Sequence, residues 1–214
     1  VLDNKLIEAN LINNILPFKR FTKSKLAKSL KSSEEIKKNE ILKIPSSVEK
    51  IELDSYIPHI KQIKWPSNCI VNDIGPSGFY SHYSLVEITI PKLVQKIPPH
   101  LFEHCHSIKT VQFEKGSILD EIGEFAFADT SIEKVDLPIS VQIINNSSFA
   151  YNKKLKMVRF NGEIIRSEAF LQTGLVEFNL SNNTKIIESN AFQFCRCLKK
   201  FVIDSENSKL AEIG

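Results

Sequence analysis

Residues 122–141 read IGEFAFADTSIEKVDLPISV, and the spacing of the apolar residues in this stretch recurs along most of the 214-residue chain. Its first Ile stands five residues before Phe127, and apolar residues follow at Ile132, Val135 and Leu137. The equivalent aromatic residue recurs every 21–25 residues. We call this set the ladder residues: Tyr56, Phe79, Phe102, Phe127, Phe149, Phe170 and Phe192. A fixed period of this length is the sequence signature of a solenoid.

Each repeat also carries an Ile and a short alternating segment around its ladder residue. The Ile stands five positions before the ladder residue, at Ile51, Ile74, Ile97, Ile122, Ile144, Ile165 and Ile187. The alternation of apolar and polar residues after the ladder residue is typical of a half-buried strand. The predicted strands are centred near Ile63, Ile88, Val111, Val135, Val158, Phe178 and Phe201. Because one repeat cannot bury its own apolar residues, we expect the strands to stack in parallel, rung upon rung.

The ladder Phe residues are predicted to form the spine of the core rather than a ligand-binding site. Large rings that stack on successive rungs bury a large apolar area. We therefore expect Phe127→Ala or Phe149→Ala to destabilise the fold far more than Phe125→Ala, because only the first two lie on the ladder.

Several segments carry a more specific pattern, in which Ala-Phe at the ladder position is followed by a Leu-Pro-x-Ser-Val type of segment. These segments are residues 44–48 (IPSSV), 122–127 (IGEFAF), 137–141 (LPISV), 169–170 (AF) and 191–195 (AFQFC). Over about residues 44–214, the chain resembles the BspA-type leucine-rich repeat family. The resemblance implies an α/β solenoid, a right-handed leucine-rich-repeat superhelix. Its parallel β-sheet would lie on the concave face, with short irregular or 3-10 segments on the convex side.

The resemblance also implies a class of function. Similar proteins are surface and secreted proteins whose solenoids serve in cell adhesion or protein contact. The expected function is therefore a non-enzymatic interaction scaffold or cell-surface adhesin that binds a protein partner through the concave face. The resemblance implies a cell-surface or secreted protein, whereas a chain with no signal or anchor outside these residues would be cytoplasmic. No apolar run approaches the roughly 18 residues that a membrane-spanning helix needs.

Two regions of the chain differ in charge. Residues 1–43 hold 10 Lys and Arg against 5 Asp and Glu, whereas residues 44–214 hold 18 against 20. Apolar residues recur at helical spacing up to Pro17, so residues 1–43 are predicted to form a basic helical N-terminal cap. Residues 44–214 are predicted to form the leucine-rich-repeat array of about seven repeats. An eighth repeat is predicted to open at Ile213 and to be truncated at the C-terminus.

The basic segment supports an alternative function. Residues 19–43 carry nine Lys and Arg, a composition that suits anionic membrane lipid or nucleic acid. No aromatic residue lies between the lysines from Lys23 onward, so the stacking platform of single-stranded nucleic-acid binders is missing. Nucleic acid is therefore not the expected partner, and membrane contact is expected only through this segment.

Partner binding is predicted for the residues that flank each strand centre, because their side chains point away from the core. They form two rows of mixed charge and polarity, which suit a protein surface better than the uniformly charged track that nucleic acid requires. The first row is Gln62, Glu87, Thr110, Lys134, Met157, Glu177 and Lys200. The second row is Lys64, Thr89, Gln112, Asp136, Arg159, Asn179 and Val202. Met157 beside Arg159 is the predicted centre of the contact.

The sequence contains no catalytic or cofactor-binding motif that we recognise. The Gly-rich phosphate loop and the His-Glu-x-x-His zinc motif are both missing, so we predict no enzyme, no cofactor and no small-molecule substrate. His104-Cys105-His106 looks like a metal cluster. However, Cys105 stands three residues after Phe102, in an inward or turn position of the repeat. The side chains of its neighbours should diverge from it, so no metal site is predicted. Cys105 and Cys195 are four rungs apart, so no disulfide framework is predicted.

Overall fold

The computed structural model of the protein describes residues 20–22, 41–44, 46–52, 60–203 and 208–214. These residues form short strands joined by turns, and they contain no helix. Every strand pair among them is parallel. The chain therefore winds through successive rungs of a parallel β-solenoid, one repeat to a rung, as the periodicity predicts.

The strands fall into two parallel series. In chain order they are β1 (Arg20–Thr22), β2 (Ile41–Lys43), β3 (Lys50–Glu52), β4 (Gln62–Lys64), β5 (Asp73–Ile74), β6 (Glu87–Ile90), β7 (Lys96–Ile97), β8 (Thr110–Phe113), β9 (Glu121–Ile122), β10 (Lys134–Asp136), β11 (Ile143–Ile144), β12 (Met157–Arg159), β13 (Ile164–Ile165), β14 (Glu177–Asn179), β15 (Ile186–Ile187), β16 (Lys200–Val202) and β17 (Glu212–Ile213). One series is the six-stranded sheet β12-β10-β8-β6-β4-β2 with the pair β14-β16, and we call it the row sheet. The other is β17-β15-β13-β11-β9-β7 with β1-β3-β5, and we call it the Ile sheet.

The row sheet contains the strands that the alternating pattern predicts. Val135 is opposite Val158, and Phe178 is opposite Phe201, so equivalent residues of successive repeats lie in register. All seven predicted strand centres are confirmed. The sheet also has one strand more than predicted, because Leu42 of β2 pairs with Ile63 of β4 and adds an earlier rung.

The Ile sheet was not predicted. Its strands are two or three residues long, and most of them carry the Ile that precedes the ladder residue. Ile144, for example, is opposite both Ile122 and Ile165, and all three side chains are buried. A two-residue strand is too short to display an alternating pattern, so the sequence marks only its buried Ile.

The turn around each ladder Phe has an unusual backbone. The residues two positions before and two positions after each of the six Phe have positive φ, between 52° and 64°, and none of them is glycine. This conformation costs about 1–2 kcal/mol for each such residue. It directs backbone N–H groups at the next rung, where Phe127 N donates to Ser148 O and Asp129 N to Ala150 O, both at 2.8 Å. These hydrogen-bonded turns stand where 3-10 segments were expected.

The predicted Phe spine is confirmed. Consecutive rings from Phe79 to Phe192 stack with centroid distances of 5.2–5.6 Å and interplanar angles of 8–20°. Phe125 lies outside this stack and packs instead against a small separate cluster that contains Ala128, Ala150 and Leu171. The Tyr56 position of the ladder lies outside the described residues.

The slot three residues after each ladder Phe holds a polar or weakly polar residue. Its occupants are His82, Cys105, Thr130, Asn152, Thr173 and Cys195. The Cys105 thiol donates to Phe79 O at 2.9 Å, and the Asn152 amide donates to Phe127 O at 2.7 Å. These donors satisfy backbone carbonyls of the preceding rung that the stacked rings shield from water. Cys105 takes the inward one of the two positions predicted for it, but His104 and His106 do not diverge as predicted, since their ring centroids lie 5.9 Å apart.

One rung is shorter than the others, and the row sheet is interrupted there. Val158 and Phe178 are 20 residues apart, whereas the other predicted strand centres are 23–25 apart. In this rung, Asn161-Gly162 replaces the Pro-x-Ser-Val segment. A Cβ atom on Gly162 would lie 2.4 Å from Val141 O, so the shortened connection leaves no room for a side chain. The sheet breaks at this rung, between β12 and β14.

The helical cap predicted over residues 1–43 is wrong wherever the structure describes that segment. Arg20–Thr22 is a strand that pairs with β3, and Ile41–Lys43 is a strand that pairs with β4. The physical reason is visible at Leu42, which lies one rung before Ile63 and is buried by stacking on it. The rest of the predicted cap lies outside the described residues.

The last residues continue the register of the Ile sheet. Ile213 is opposite Ile187, and Gly214 N donates to Ile187 O at 2.8 Å. Gly123 N makes the equivalent bond to Ile97 O, also at 2.8 Å. Ile213 therefore takes the position from which each rung opens.

Candidate functional site

The fourteen residues predicted to bind a partner all lie on the strands of the row sheet. They alternate with buried centres such as Val135, and every one of them is exposed or half-exposed. We call this surface the row face. It carries the first predicted row, from Gln62 to Lys200, and the second, from Lys64 to Val202. The predicted orientation of these side chains agrees with the structure, and partner binding itself stays a prediction.

Charged side chains on the row face pair with one another across and along the strands. Lys134 Nζ lies 2.8 Å from an oxygen of Asp136, and Arg159 Nε lies 3.5 Å from the other oxygen of the same carboxylate. Lys200 Nζ donates to Glu177 Oε1 at 3.0 Å, and this hydrogen bond holds the pKa of Glu177 below its ordinary value. The row face is therefore locally neutralised rather than strongly charged.

A groove of about 900 Å³ opens on the row face between β8 and β10. These two strands pair at a single position, Thr110 opposite Lys134, whereas β6 and β8 pair over four positions. Beyond that position their hydrogen bonds diverge: Glu114 N donates back to Ile90 O, and Leu137 N donates forward to Arg159 O. The groove lies over these two strands and the turns that follow them.

Some of the residues that line the groove were predicted from the sequence, and others were not. Predicted lining residues are Thr110, Gln112, Lys134 and Asp136. The missed ones come from the turns after the two strands and include Glu114, Pro138 and Ile139. Ile139 is the most exposed large apolar side chain of the described residues, at 80% of its accessible surface. The repeat pattern could have predicted this exposure. Ile139 is the variable residue between Pro138 and Ser140, and Val141 is the buried residue of the segment.

The predicted contact centre lies beside the groove rather than in it. Met157 is exposed on β12, and Arg159 pairs with Asp136 of the neighbouring strand. Asp136 lines the groove, so Arg159 borders it through this ion pair. The groove therefore lies one rung before the predicted contact centre, toward β8.

The structure brings three potential metal ligands together on the turns after Phe102 and Phe127. A ring nitrogen of His104, a ring nitrogen of His106 and a carboxylate oxygen of Asp129 all lie within 4.8 Å of one another. The two histidines flank the buried Cys105 and are themselves accessible. Asp129 is 25 residues from His104 and one rung away, so its contact with the two histidines was not predicted from the residues around Cys105.

All four cysteines are free thiols. Burial raises the pKa of Cys105 to about 12, whereas Cys197 is exposed. The predicted lipid-binding or nucleic-acid-binding segment, residues 19–43, lies outside the described residues apart from β1 and β2. Among the described residues, no helix has the length and apolar character needed to cross a membrane.

Comparison with known proteins agrees with the repeat. A family profile described as BspA type Leucine rich repeat region matches the chain in six copies, over residues 31–156 and 72–199. No curated protein sequence matches the chain. The profile matches begin before Ile41, in agreement with the additional early rung formed by β2.

Solved structures of bacterial leucine-rich repeat proteins share the fold. One from Bacteroides ovatus is 25% identical with a TM-score of 0.68, and the match covers 76% of this chain and 45% of that protein. One from Eubacterium ventriosum is 25% identical with a TM-score of 0.64, covering 73% and 43%. The pneumococcal vaccine antigen PcpA is 22% identical with a TM-score of 0.59, covering 77% and 50%, which shows the fold alone. The chain spans half or less of the length of each of these proteins.

Proposed function

Because the chain belongs to the BspA-type leucine-rich repeat family, we propose that it is a non-enzymatic scaffold that binds a protein partner through the row face. The family resemblance implies that this sheet is the concave face of the solenoid. The observation that carries the proposal is the groove between β8 and β10, where a rigid sheet presents both polar and apolar groups. Rigid display lowers the entropy that a partner's binding costs.

The chemistry of the groove favours a protein over other ligands. Lys134 and Asp136 offer a paired cation and anion, Gln112 offers an amide, and Ile139 offers an exposed apolar anchor. Mixed polar groups around an apolar contact are typical of protein interfaces. A single-sign track, as nucleic acid requires, is not present on the described strands of the row sheet.

We further propose that the partner belongs to another cell or to its surroundings, so that the chain acts in adhesion. The support is the family resemblance to surface proteins and the likeness of the fold to a vaccine antigen. The known proteins are about twice as long as this chain, so their full activity is not carried over.

The test combines photo-crosslinking with a matched pair of charge variants. A photoreactive residue in place of Gln112 samples the groove, and one in place of Glu124 samples an exposed turn. The row-face variant reverses Lys134, Arg159 and Lys200 to Glu. The control variant reverses Lys96, Arg166 and Lys185 to Glu, three cations that are ion-paired on or beside the Ile sheet. Both variants change the net charge equally, and each breaks ion pairs; the control pairs are the less exposed, so the control disturbs the fold at least as much as the row-face variant.

We expect a discrete cell-surface protein to crosslink from position 112 and not from position 124. Crosslinking should fall with the row-face variant, persist with the control variant, and weaken only partly at higher salt. Equal crosslinking from both positions, or equal loss with both variants, would contradict the proposal.

The alternative function, binding of anionic lipid or nucleic acid through residues 19–43, calls for a different variant. Deleting residues 1–43 would remove β2, which pairs with β4, and would disturb the array itself. Neutralising Lys23, Lys25, Lys28 and Lys31 to Gln leaves both described strands intact. Loss of binding to phosphatidylserine vesicles or single-stranded oligonucleotides in this variant, with the row-face variant unaffected, would favour the alternative.

A further inference from the structure

We propose that His104, His106 and Asp129 form a binding site for a divalent transition-metal ion such as Zn²⁺. The repeat itself creates this site. Asp129 follows Phe127 by two residues, as His104 follows Phe102, so stacking places their side chains next to each other. His106 lies two residues beyond His104 on the same turn. The site uses the turns after the ladder residues rather than the row face, and it is independent of the proposed protein-binding function.

The distances between ligand atoms suit one small ion. His104 Nδ1 lies 2.9 Å from Asp129 Oδ2, and His106 Nδ1 lies 3.7 Å from the same oxygen. Tetrahedral Zn²⁺ with bonds of about 2.0–2.2 Å holds its ligand atoms about 3.3–3.5 Å apart. These two distances lie on either side of this value, and the ligand nitrogens of His104 and His106 lie within 4.8 Å of each other, so the side chains move closer together around a bound ion. An ion bound to His104 Nδ1 needs the lone pair of that nitrogen, so the neutral imidazole carries its one proton on Nε2, the nitrogen that faces Glu103.

The backbone holds the ligands in place before any ion binds. His104 and Asp129 occupy left-handed positions with φ of 59° and 53°. Their N–H groups donate to Ala128 O at 3.0 Å and to Ala150 O at 2.8 Å, respectively. His106 N donates to His104 O at 2.9 Å, which fixes the short turn between the two histidines. Ligands on such a constrained scaffold lose little entropy when they bind a metal.

Neighbouring side chains orient the two imidazole rings. Tyr83 stacks on His106 with a centroid distance of 5.7 Å, and Tyr80 meets His104 edge-on at 5.5 Å. Glu103 Oε1 lies 3.6 Å from His104 Nε2, the nitrogen that faces away from the proposed ion. A carboxylate on the far nitrogen of a metal-bound histidine is a common outer partner, and it raises the basicity of the ligand.

The ligand set defines the class of ion. Two imidazoles and one carboxylate suit Zn²⁺, Ni²⁺ or Cu²⁺, whereas Ca²⁺ and Mg²⁺ prefer oxygen ligands alone. The side chains of His104, His106 and Asp129 are 38%, 50% and 40% exposed, so at least one coordination position faces solvent. The nearby Cys105 thiol is buried and donates to Phe79 O, which leaves it out of the ligand set.

Titration calorimetry of the full chain with ZnCl₂ at neutral pH tests the proposal. We expect one Zn²⁺ per chain. Affinity should fall more than about 100-fold in His106→Asn or Asp129→Asn and about 10-fold in the positioning variant Glu103→Gln. His100→Asn is the control for loss of a histidine outside the cluster; because His100 Nδ1 lies 2.7 Å from Glu103 Oε2, its affinity should fall no further than that of Glu103→Gln. Thermal melts verify that each variant is folded.

The absorption spectrum of the Co²⁺-loaded chain gives a second readout. We expect visible bands of tetrahedral Co²⁺ without the near-ultraviolet band that a thiolate ligand such as Cys197 produces. The proposal is overturned if the folded chain binds no Zn²⁺, if a thiolate band appears, or if His106→Asn and Asp129→Asn bind as tightly as His100→Asn. In that case the contacts are only ion pairs between histidine and carboxylate.

Discussion

The middle rungs and the last rung place the same residue types in the same slots but bury them differently. Phe178 at the centre of β14 is 1% exposed, whereas Phe201 at the centre of β16 is 38% exposed, although the two rings stack on each other. The position three residues after each ladder Phe shows the same contrast, because Cys105 is fully buried and Cys195 is only partly buried. Burial in this solenoid is therefore supplied by the following rung rather than by the residue alone.

Truncating matched strand centres should give the largest difference between the two regions. We expect Phe178→Ala to lower the free energy of unfolding by about 3–5 kcal/mol, since it leaves a cavity among packed rings. Phe201→Ala should cost only about 1–2 kcal/mol, because part of its surface is already in water. Urea denaturation followed by circular dichroism measures both. Equal costs would show that burial by the next rung does not decide stability.

Thiol reactivity should separate the same two regions. Burial raises the pKa of Cys105 from 9.0 to about 12, which lowers its thiolate fraction about 1,000-fold at neutral pH. Maleimide labelling with peptide mass spectrometry should therefore modify Cys197 first and Cys195 later. Cys105 should react only when the chain unfolds. Below pH 9 this raised pKa leaves stability unchanged, and between pH 9 and about 12 stability should fall, because only the unfolded thiol loses its proton.

The polar residues three positions after each ladder Phe should also stabilise the middle rungs more than the last rung. Asn152 donates to Phe127 O and Phe149 O and accepts from Thr130 N. Asn152→Ala leaves these buried groups without partners, so we expect a loss of about 2–4 kcal/mol. Cys195→Ala in the last rung should cost less than about 1 kcal/mol. A thermal melt of each variant provides the comparison, and a cost for Cys195→Ala as large as that for Asn152→Ala would contradict it.

Backbone conformation, unlike burial, is the same in both regions. Gln172 and Phe194 occupy equivalent left-handed positions with φ of 54° and 58°. Gln172→Gly should raise the free energy of unfolding by about 0.5–1 kcal/mol, because relief of the strained φ exceeds the entropy that glycine adds to the unfolded chain. Gln193 is exposed and has no positive φ, so Gln193→Gly relieves no strain. This variant should lower the free energy of unfolding by about 0.5–1 kcal/mol. A destabilising Gln172→Gly would show that the ladder of turn hydrogen bonds already cancels the strain.

The features that the sequence predicted are those that recur with the repeat. The Phe spine and the strand centres from Ile63 to Phe201 were found because a large apolar residue in a fixed slot leaves a visible period. The Ile sheet was missed, since two residues are too few to alternate. The left-handed turns were missed as well, because residues such as His104 and Gln172 stand where glycine would have been the signal.

The candidate sites were harder to predict because they depend on departures from the repeat. The groove is lined by residues of two repeats and of the turns after them, so no single residue between Thr110 and Asp136 predicts it. The His104–Asp129 contact needs two repeats to be aligned on their ladder residues before the pair becomes visible. Pro17 and the apolar spacing before it suggested a helix, but the described residues of that segment pair with β3 and β4 as strands.

The smallest expected effect comes from the exposed ion pairs of the row face, which are alike in the middle and the last rungs. Lys134–Asp136 and Lys200–Glu177 are about half-exposed pairs, and pairs of this kind contribute little to stability because water and salt screen them. Lys134→Met and Lys200→Met should therefore change the unfolding midpoint little and equally.

The local effect is still measurable, because the Lys200 hydrogen bond lowers the pKa of Glu177. Carbon-13 NMR titration should show that pKa rising toward its ordinary value in Lys200→Met and unchanged in Lys134→Met. The stabilisation from this pair is present above that ordinary value and is lost as the pH falls through the lowered pKa. A large loss of stability in either variant would mean that the row face contributes to folding and not only to the surface on which a partner would bind.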